Sequence, residues 1–233
     1  MTYLTGNQLF WLEEKPNCYV EIYYQPQGEQ FLDGTKGKIV KISDLSQHIK
    51  DHPLENLWRS WMVYEDPFKL HPIGEVPAVI DIDDESDKPS ILIPPQKFPD
   101  LQKAYELTKN CSAIIIEQWA KSEDNVRIVF SGHKGFHIEF KPTEPVDMVF
   151  IRRELIATCI NKGLIPSSKA NNIFFETTSI DSIKKEVRLT VSLNSWLTNE
   201  EHIHSRRVFQ LTFGEFSSLK PEDIIFKSEF RLP

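Results

Sequence analysis

The chain has 233 residues and a formal net charge of −7, with 40% hydrophobic and 26% charged residues. That length allows a sizeable core in one large domain or two small ones. No apolar run approaches the ~20 residues that cross a bilayer, so no membrane partner is expected. The acidic balance argues against a non-specific nucleic-acid binder. The acidic excess lies outside residues 121–210, however, and that middle stretch is slightly basic.

Cys18, Cys111 and Cys159 are widely spaced, and no CxxC or His/Cys cluster exists. Neither a structural zinc site nor a disulfide framework is therefore expected. Residues 1–16 lack a basic region followed by an apolar stretch, so the sequence reads as having no secretory signal and a cytoplasmic location.

In chain order, Cys18 to Tyr24 alternates Tyr and β-branched residues and reads as a strand. Lys38 to Ile42 reads as another, and Ser43 or Asp44 then caps a short helix. Leu57 to Tyr64 is apolar and aromatic enough for a buried strand, ended by Pro67, Pro72 and Gly74. Val76 to Ile82 is the next strand. From Pro99 to Ala120, Leu101, Ala104, Tyr105, Leu107, Cys111, Ile114, Ile115 and Trp119 recur at helical spacing. Val126–Phe130 and Gly135–Phe140 form two strands joined by a glycine-bearing turn. Asp147 to Lys162 is a second helix with Gly163 at its C-terminus. Strands follow at Ile173–Glu176, Val187–Leu193 and Arg207–Phe213, and the tail from Lys220 has no clear assignment.

No internal repeat, low-complexity segment or long linker divides the chain. It reads as one α+β domain over residues 1–233, with an N-terminal αβ part over 1–75, a core over 76–215 and a short tail. The core order, strand-helix-strand-strand-helix-strand, resembles a split βαβ unit of the RRM-like or ferredoxin-like kind.

Two motifs carry the chemistry. In Ala78-Val79-Ile80-Asp81-Ile82-Asp83, side chains at i and i+2 of a strand share a face. Asp81 and Asp83 therefore project together, with Ile80 and Ile82 buried behind. Carboxylates this close repel unless a cation lies between them, and Mg²⁺ or Mn²⁺ suits oxygen ligands. The alternative is a strand end running into an acidic turn, since Asp84, Glu85 and Asp87 follow. In Ser131-Gly132-His133-Lys134-Gly135-Phe136-His137, the glycines let backbone N–H groups approach an anion. Ser131, Lys134 and His137 add a hydroxyl, a positive charge and an imidazole. The alternative is a plain hairpin with a half-buried His. Phe136 and Phe140 could be exposed aromatics on which bases stack, as in RRM recognition; the alternative, since they alternate with His137, is that they are core residues of the opposite face. A third acidic candidate is Asp181, with Arg188 seven residues later and Ser192-Leu193-Asn194 beyond it.

Taken in order, these motifs resemble those of the archaeo-eukaryotic primase superfamily, the catalytic small subunit of primases and related primase-polymerases. That family carries an hDhD motif, an S-G-x-[KR]-G-h-H motif, and an hD motif followed by a basic residue and an S-L-H-like run. The matching stretches are Ile80 to Asp83, Ser131 to His137, and Ile180-Asp181 with Arg188 and Ser192-Leu193-Asn194; Ser60 to Pro67 is similar to the family's preceding strand. The resemblance covers residues 37–195. It implies the primase fold, with an RRM-like catalytic core and additional N-terminal strands and helices. It also implies template-dependent nucleotidyl transfer to a 3′-hydroxyl with release of pyrophosphate. Asp81, Asp83 and Asp181 would ligate two divalent ions, Mg²⁺ or Mn²⁺. Ser131, Gly132, His133, Lys134 and His137 would hold the nucleotide triphosphate, with Arg188 and Asn194 on phosphate or the template-primer backbone. The implied partners are single-stranded DNA template and primer, NTPs or dNTPs, and a large primase subunit, helicase or fused domain.

The chain departs from the family at Asn194, a position often held by His, and at His133, often Arg or a small residue. It also lacks the family's cysteine-rich zinc element, a departure that bears on de novo initiation more than on nucleotidyl transfer. Two other readings stand beside the leading one. One is a diverged enzyme of the same fold for primer extension, gap filling or end repair. The other is a non-catalytic RRM-like nucleic-acid or nucleotide-binding module, which three retained carboxylates disfavour.

Overall fold

The computed structural model describes residues 12–25, 37–52, 56–60, 62–66, 68, 72–75, 78–83, 101–132, 135–165, 186–188, 193–197 and 203–228. The architecture is mixed α+β, built on two sheets whose strand pairs are nearly all antiparallel. Among the described residues no helix is long and apolar enough to cross a membrane.

The N-terminal part begins with a 3-10 turn, Leu12–Glu14, followed by strands β1 (Tyr19–Gln25) and β2 (Lys38–Lys41) and helix α1 (Leu45–Asp51). Strands β3 (Asn56–Ser60), β4 (Met62–Tyr64) and β5 (Pro72–Glu75) complete it. Val20 and Ile22 of β1, Val40 of β2, Leu57 of β3 and Val63 of β4 pack with Leu12, Ile42 and Leu45 into a small core of their own.

The expected single strand over Leu57–Tyr64 is divided. Ile22 of β1 pairs with Arg59 and Tyr19 pairs with Tyr64, so the register advances by two residues between β3 and β4. Such an insertion leaves ladder groups unmatched. The Ser60 hydroxyl fills part of the gap by accepting from the Glu21 amide at 3.1 Å.

The second sheet starts at β6 (Ala78–Asp83). Helix α2 (Leu101–Ile115) follows and widens into a π-helical turn, Ile116–Ala120. Lys121 ends it in the left-handed region, with φ 60°. The last carbonyls are satisfied from outside: Asn125 Nδ2 donates to the Ala120 carbonyl at 2.8 Å and the Thr143 amide to that of Trp119 at 3.1 Å. Strands β7 (Val126–Phe130) and β8 (Gly135–Phe140) form the expected hairpin. Helix α3 (Met148–Asn161) is capped by the Asp147 carboxylate, which accepts from the Val149 amide at 2.9 Å. Gly163 follows with φ 69°, the conformation expected just past a helix end.

The chain then returns to the first sheet with β9 (Glu186–Arg188), β10 (Leu193–Leu197) and β11 (Ile203–Arg207). The expected strand Val187–Leu193 overlaps the end of β9 and the start of β10, with 189–192 outside the described residues. The expected strand Arg207–Phe213 contains a strand of the second sheet, Phe209–Thr212. Val208, fully buried, carries the chain across to the second sheet, where β12 (Phe209–Thr212) begins. No glycine, proline or loop separates the two strands, so local pattern did not reveal the switch. The expected strand at Ile173–Glu176 lies outside the described residues.

Helices α4 (Phe213–Ser218) and α5 (Pro221–Ser228) close the chain. The first has a full capping box between Thr212 and Glu215. The second occupies the tail that sequence left unassigned: Pro221 stands at its first position and Ile224 is buried.

Among the described residues the first sheet has eight strands in the order β11-β10-β3-β1-β4-β5, with β2 on β1 and β9 on β3. The second has four, in the order β12-β7-β8-β6. Both β6 and β7 run antiparallel to β8, which lies between them. They are therefore parallel to each other, joined through α2. The larger core lies on one face of this sheet. Ile80, Ile82, Ile128, Phe130, Phe136, Ile138 and Phe140 meet Tyr105, Cys111 and Ile115 of α2, Ile151 and Leu155 of α3 and Phe216 of α4 there. The alternation expected of Phe136 and Phe140 holds.

Candidate functional site

The face of the second sheet turned away from the helices is built by the strand period. Each apolar residue of the core leaves its neighbour on the other side. In β6 these are Val79 and Asp81, and in β8 His137 and Glu139. The register of β6 against β8 pairs Asp81 with His137 and Asp83 with Gly135. Two sequence motifs far apart in the chain thus become neighbouring strands. The Asp81 carboxylate lies 3.4 Å from His137 Nε2. His137 is buried and Asp81 half-buried. Ile80 and Ile82 are buried behind them, as expected.

The turn after β7 is held by two contacts between its ends. The Ser131 amide donates to the Gly135 carbonyl at 3.0 Å, and the Gly135 amide donates to Ser131 Oγ at 3.3 Å. Ser131 is buried, so its hydroxyl shapes the turn as well as bordering the site. Gly132 has φ 84°, where a side chain is strained. Gly132→Ala is expected to cost about 1–2 kcal/mol, read as a lower midpoint in urea unfolding. An unchanged midpoint would show that the turn tolerates a Cβ.

His133, Lys134 and Asp181 lie outside the described residues. The side chains of Asp83, Arg188 and Asn194 do too, although their strands are described. Asp83 ends β6. Arg188 lies in β9, in register with Trp58 of β3, and Asn194 in β10, in register with Arg206. The last two are thus in the first sheet rather than on β6–β8.

The two sheets meet beside the Asp81–His137 pair. Arg59, from β3, donates through Nη2 to Glu139 Oε1 at 2.9 Å. Gln210 of β12 donates to the other carboxylate oxygen at 3.2 Å, and Arg59 Nη1 reaches the Ser60 carbonyl at 3.1 Å. Arg59 is 2% and Glu139 6% exposed, so this is an ion pair withdrawn from water. An exposed second link joins Lys141 to Glu14 at 2.7 Å and contributes little. Sequence reasoning passed over Arg59, Glu139 and Gln210. The available signal was a full charge, Arg59 or Glu139, inside each of two mostly apolar strands, Leu57–Tyr64 and Gly135–Phe140. A buried charge requires a partner.

The donor chemistry at Asp81 suits a hard cation, because carboxylate oxygens are the ligands Mg²⁺ and Mn²⁺ prefer. Among the described residues, no group of three or more His, Cys, Asp or Glu side chains is assembled to hold a metal. A fuller ligand set would have to draw on Asp83 and Asp181. Compared with known proteins, the chain matches no protein-family model and no curated protein sequence.

Proposed function

We propose that this chain is a template-dependent nucleotidyltransferase of the primase or primase-polymerase kind, with its site on the β6–β8 pair. The observation that carries the reading is the register of Asp81 beside His137 and Asp83 beside Gly135. It sets an acidic strand end against a glycine turn, which is what a metal–triphosphate ligand needs. The β6-α2-β7-β8-α3 order, with β8 between β6 and β7, supports an RRM-like core. β12 joins that sheet on the β7 edge.

In this reading Asp81, Asp83 and Asp181 hold Mg²⁺ or Mn²⁺. Such ions, when bound, neutralise charge on the transferring phosphoryl group. The backbone of the Gly132 turn, Lys134 and His137 grip the triphosphate. Asp81 lies within reach of the His137 ring and holds it toward β6. Positioning and charge neutralisation supply most of the catalysis. Template and primer lie along the slightly basic middle of the chain, and a partner subunit or fused domain adds affinity.

The test is primer extension and primer synthesis on single-stranded DNA with Mn²⁺ or Mg²⁺ and each class of nucleotide. Metal-dependent products support the reading. Extension without initiation selects the diverged repair or gap-filling enzyme. Lys134→Ala is expected to raise the KM for nucleotide by roughly 10-fold or more with kcat little changed, as loss of a charge-assisted contact does. An unchanged KM would remove Lys134 from the triphosphate site.

A further inference from the structure

On the helix side of the second sheet, Cys111 of α2 and Cys159 of α3 meet with their Sγ atoms 3.5 Å apart. Both are reduced thiols and both are fully buried. We propose that this pair is an oxidation site, at which hydrogen peroxide converts the two thiols into a disulfide tying α2 to α3.

Nothing local brings these residues together, since 48 positions separate them and they belong to different helices. A disulfide needs its sulfurs at about 2.05 Å. The sulfurs must therefore close by roughly 1.5 Å. The two thiols are also unequal. The hydrogen-bonding contact with Cys111, against the opposing effect of burial and with help from Lys162 near the end of α3, lowers the Cys159 thiol from its ordinary value. Burial pushes the Cys111 thiol up. With the sulfurs this close either can attack first and the other resolve, and the chemistry is the same.

Where Cys159 attacks first, its thiolate takes one peroxide oxygen and the O–O bond breaks. The departing oxygen takes a proton and leaves as water, and Cys159 becomes a sulfenic acid. The Cys111 sulfur then attacks the Cys159 sulfur. The S–O bond breaks, and the leaving hydroxide takes the Cys111 proton as a second water. Two thiols and one peroxide become one disulfide and two waters. Because both sulfurs are enclosed, the oxidant enters when the helix pair opens locally. A small neutral peroxide suits that route better than a bulky disulfide. Cys18, only partly buried, reacts without such opening.

The test uses the full chain with Cys18→Ser, which removes the competing thiol. After peroxide treatment and alkylation of remaining thiols, peptide mapping should find the Cys111 and Cys159 peptides linked, with loss of two hydrogens. Dithiothreitol should reverse this. The oxidised form should melt at a higher temperature than the reduced form, as expected when a long loop is closed. Cys159→Ala should show neither the link nor the rise in melting temperature. Oxygen addition at Cys159 or Cys111 without a linked peptide would overturn the proposal. So would two unmodified thiols under conditions that fully oxidise Cys18 in the wild type. Should Cys159→Ala fail to fold, the peptide map and its reversal still decide.

Discussion

Asp81→Asn is expected to abolish metal-dependent nucleotide incorporation while the protein stays folded. The carboxylate occupies the one position on β6 that faces the His137 ring, 3.4 Å away. Its neighbours Ile80 and Ile82 sit in the core, so the strand cannot shift to offer another group. Asparagine keeps the shape and removes the charge. Outer partners of metal sites are worth roughly 10–100-fold, so loss of a direct ligand, the role proposed for Asp81, should cost at least on the order of 100-fold. Primer extension at saturating Mn²⁺, with melting followed by circular dichroism, reads both halves. Wild-type activity in the variant would remove Asp81 from the chemistry and favour a binding module. Loss of the melting transition would instead mean that the charge is needed for folding.

Arg59→Ala should produce the largest loss of stability of any single change near the site. It leaves Glu139 buried with the Gln210 amide as its remaining hydrogen-bond donor. Breaking a buried pair from one side typically costs about 3–5 kcal/mol. Replacing both members with apolar residues of similar size is often nearly neutral. The double variant Arg59→Met/Glu139→Leu should therefore recover most of the loss. Urea unfolding of the single and double variants at one pH separates these cases. Equal losses in both would mean that the pair itself, rather than the stranded charge, holds the two sheets in place. In the single variant β8 also loses its tie to β3, so activity should fall further than stability alone explains.

Periodicity made much of this legible. The alternation of Ile80, Asp81 and Ile82 fixes which face of β6 is polar. Phe136 and Phe140 fix the face of β8, and the glycines of Ser131–Gly135 mark the turn between strands. The helical repeat from Leu101 places α2 on the core. What could not be read has a common cause: it depends on contacts distant in sequence. Whether the segment near 207 belongs to one sheet or two is set by its neighbours, not by its own pattern. The Arg59–Glu139 pair joins residues 80 positions apart. The division between β3 and β4 reflects the register against β1, and α5 has too few apolar residues to announce itself. The register of Asp81 with His137 followed from neither motif alone. It required both strands to be adjacent.

One consequence follows from α3. The candidate acidic strand, β6, is the last in its sheet, with β8 on one side only among the described residues. An uncovered border strand is a template on which a second chain can add, and long apolar borders are where aggregation starts. Arg152, 3% exposed, reaches across from α3 and donates to the Val79 carbonyl at 2.9 Å. It thereby occupies one backbone acceptor of the border strand. The same guanidinium that closes the border also moors α3 to the strand bearing Asp81. Protection from misassembly and the rigidity of the candidate site thus depend on a single side chain.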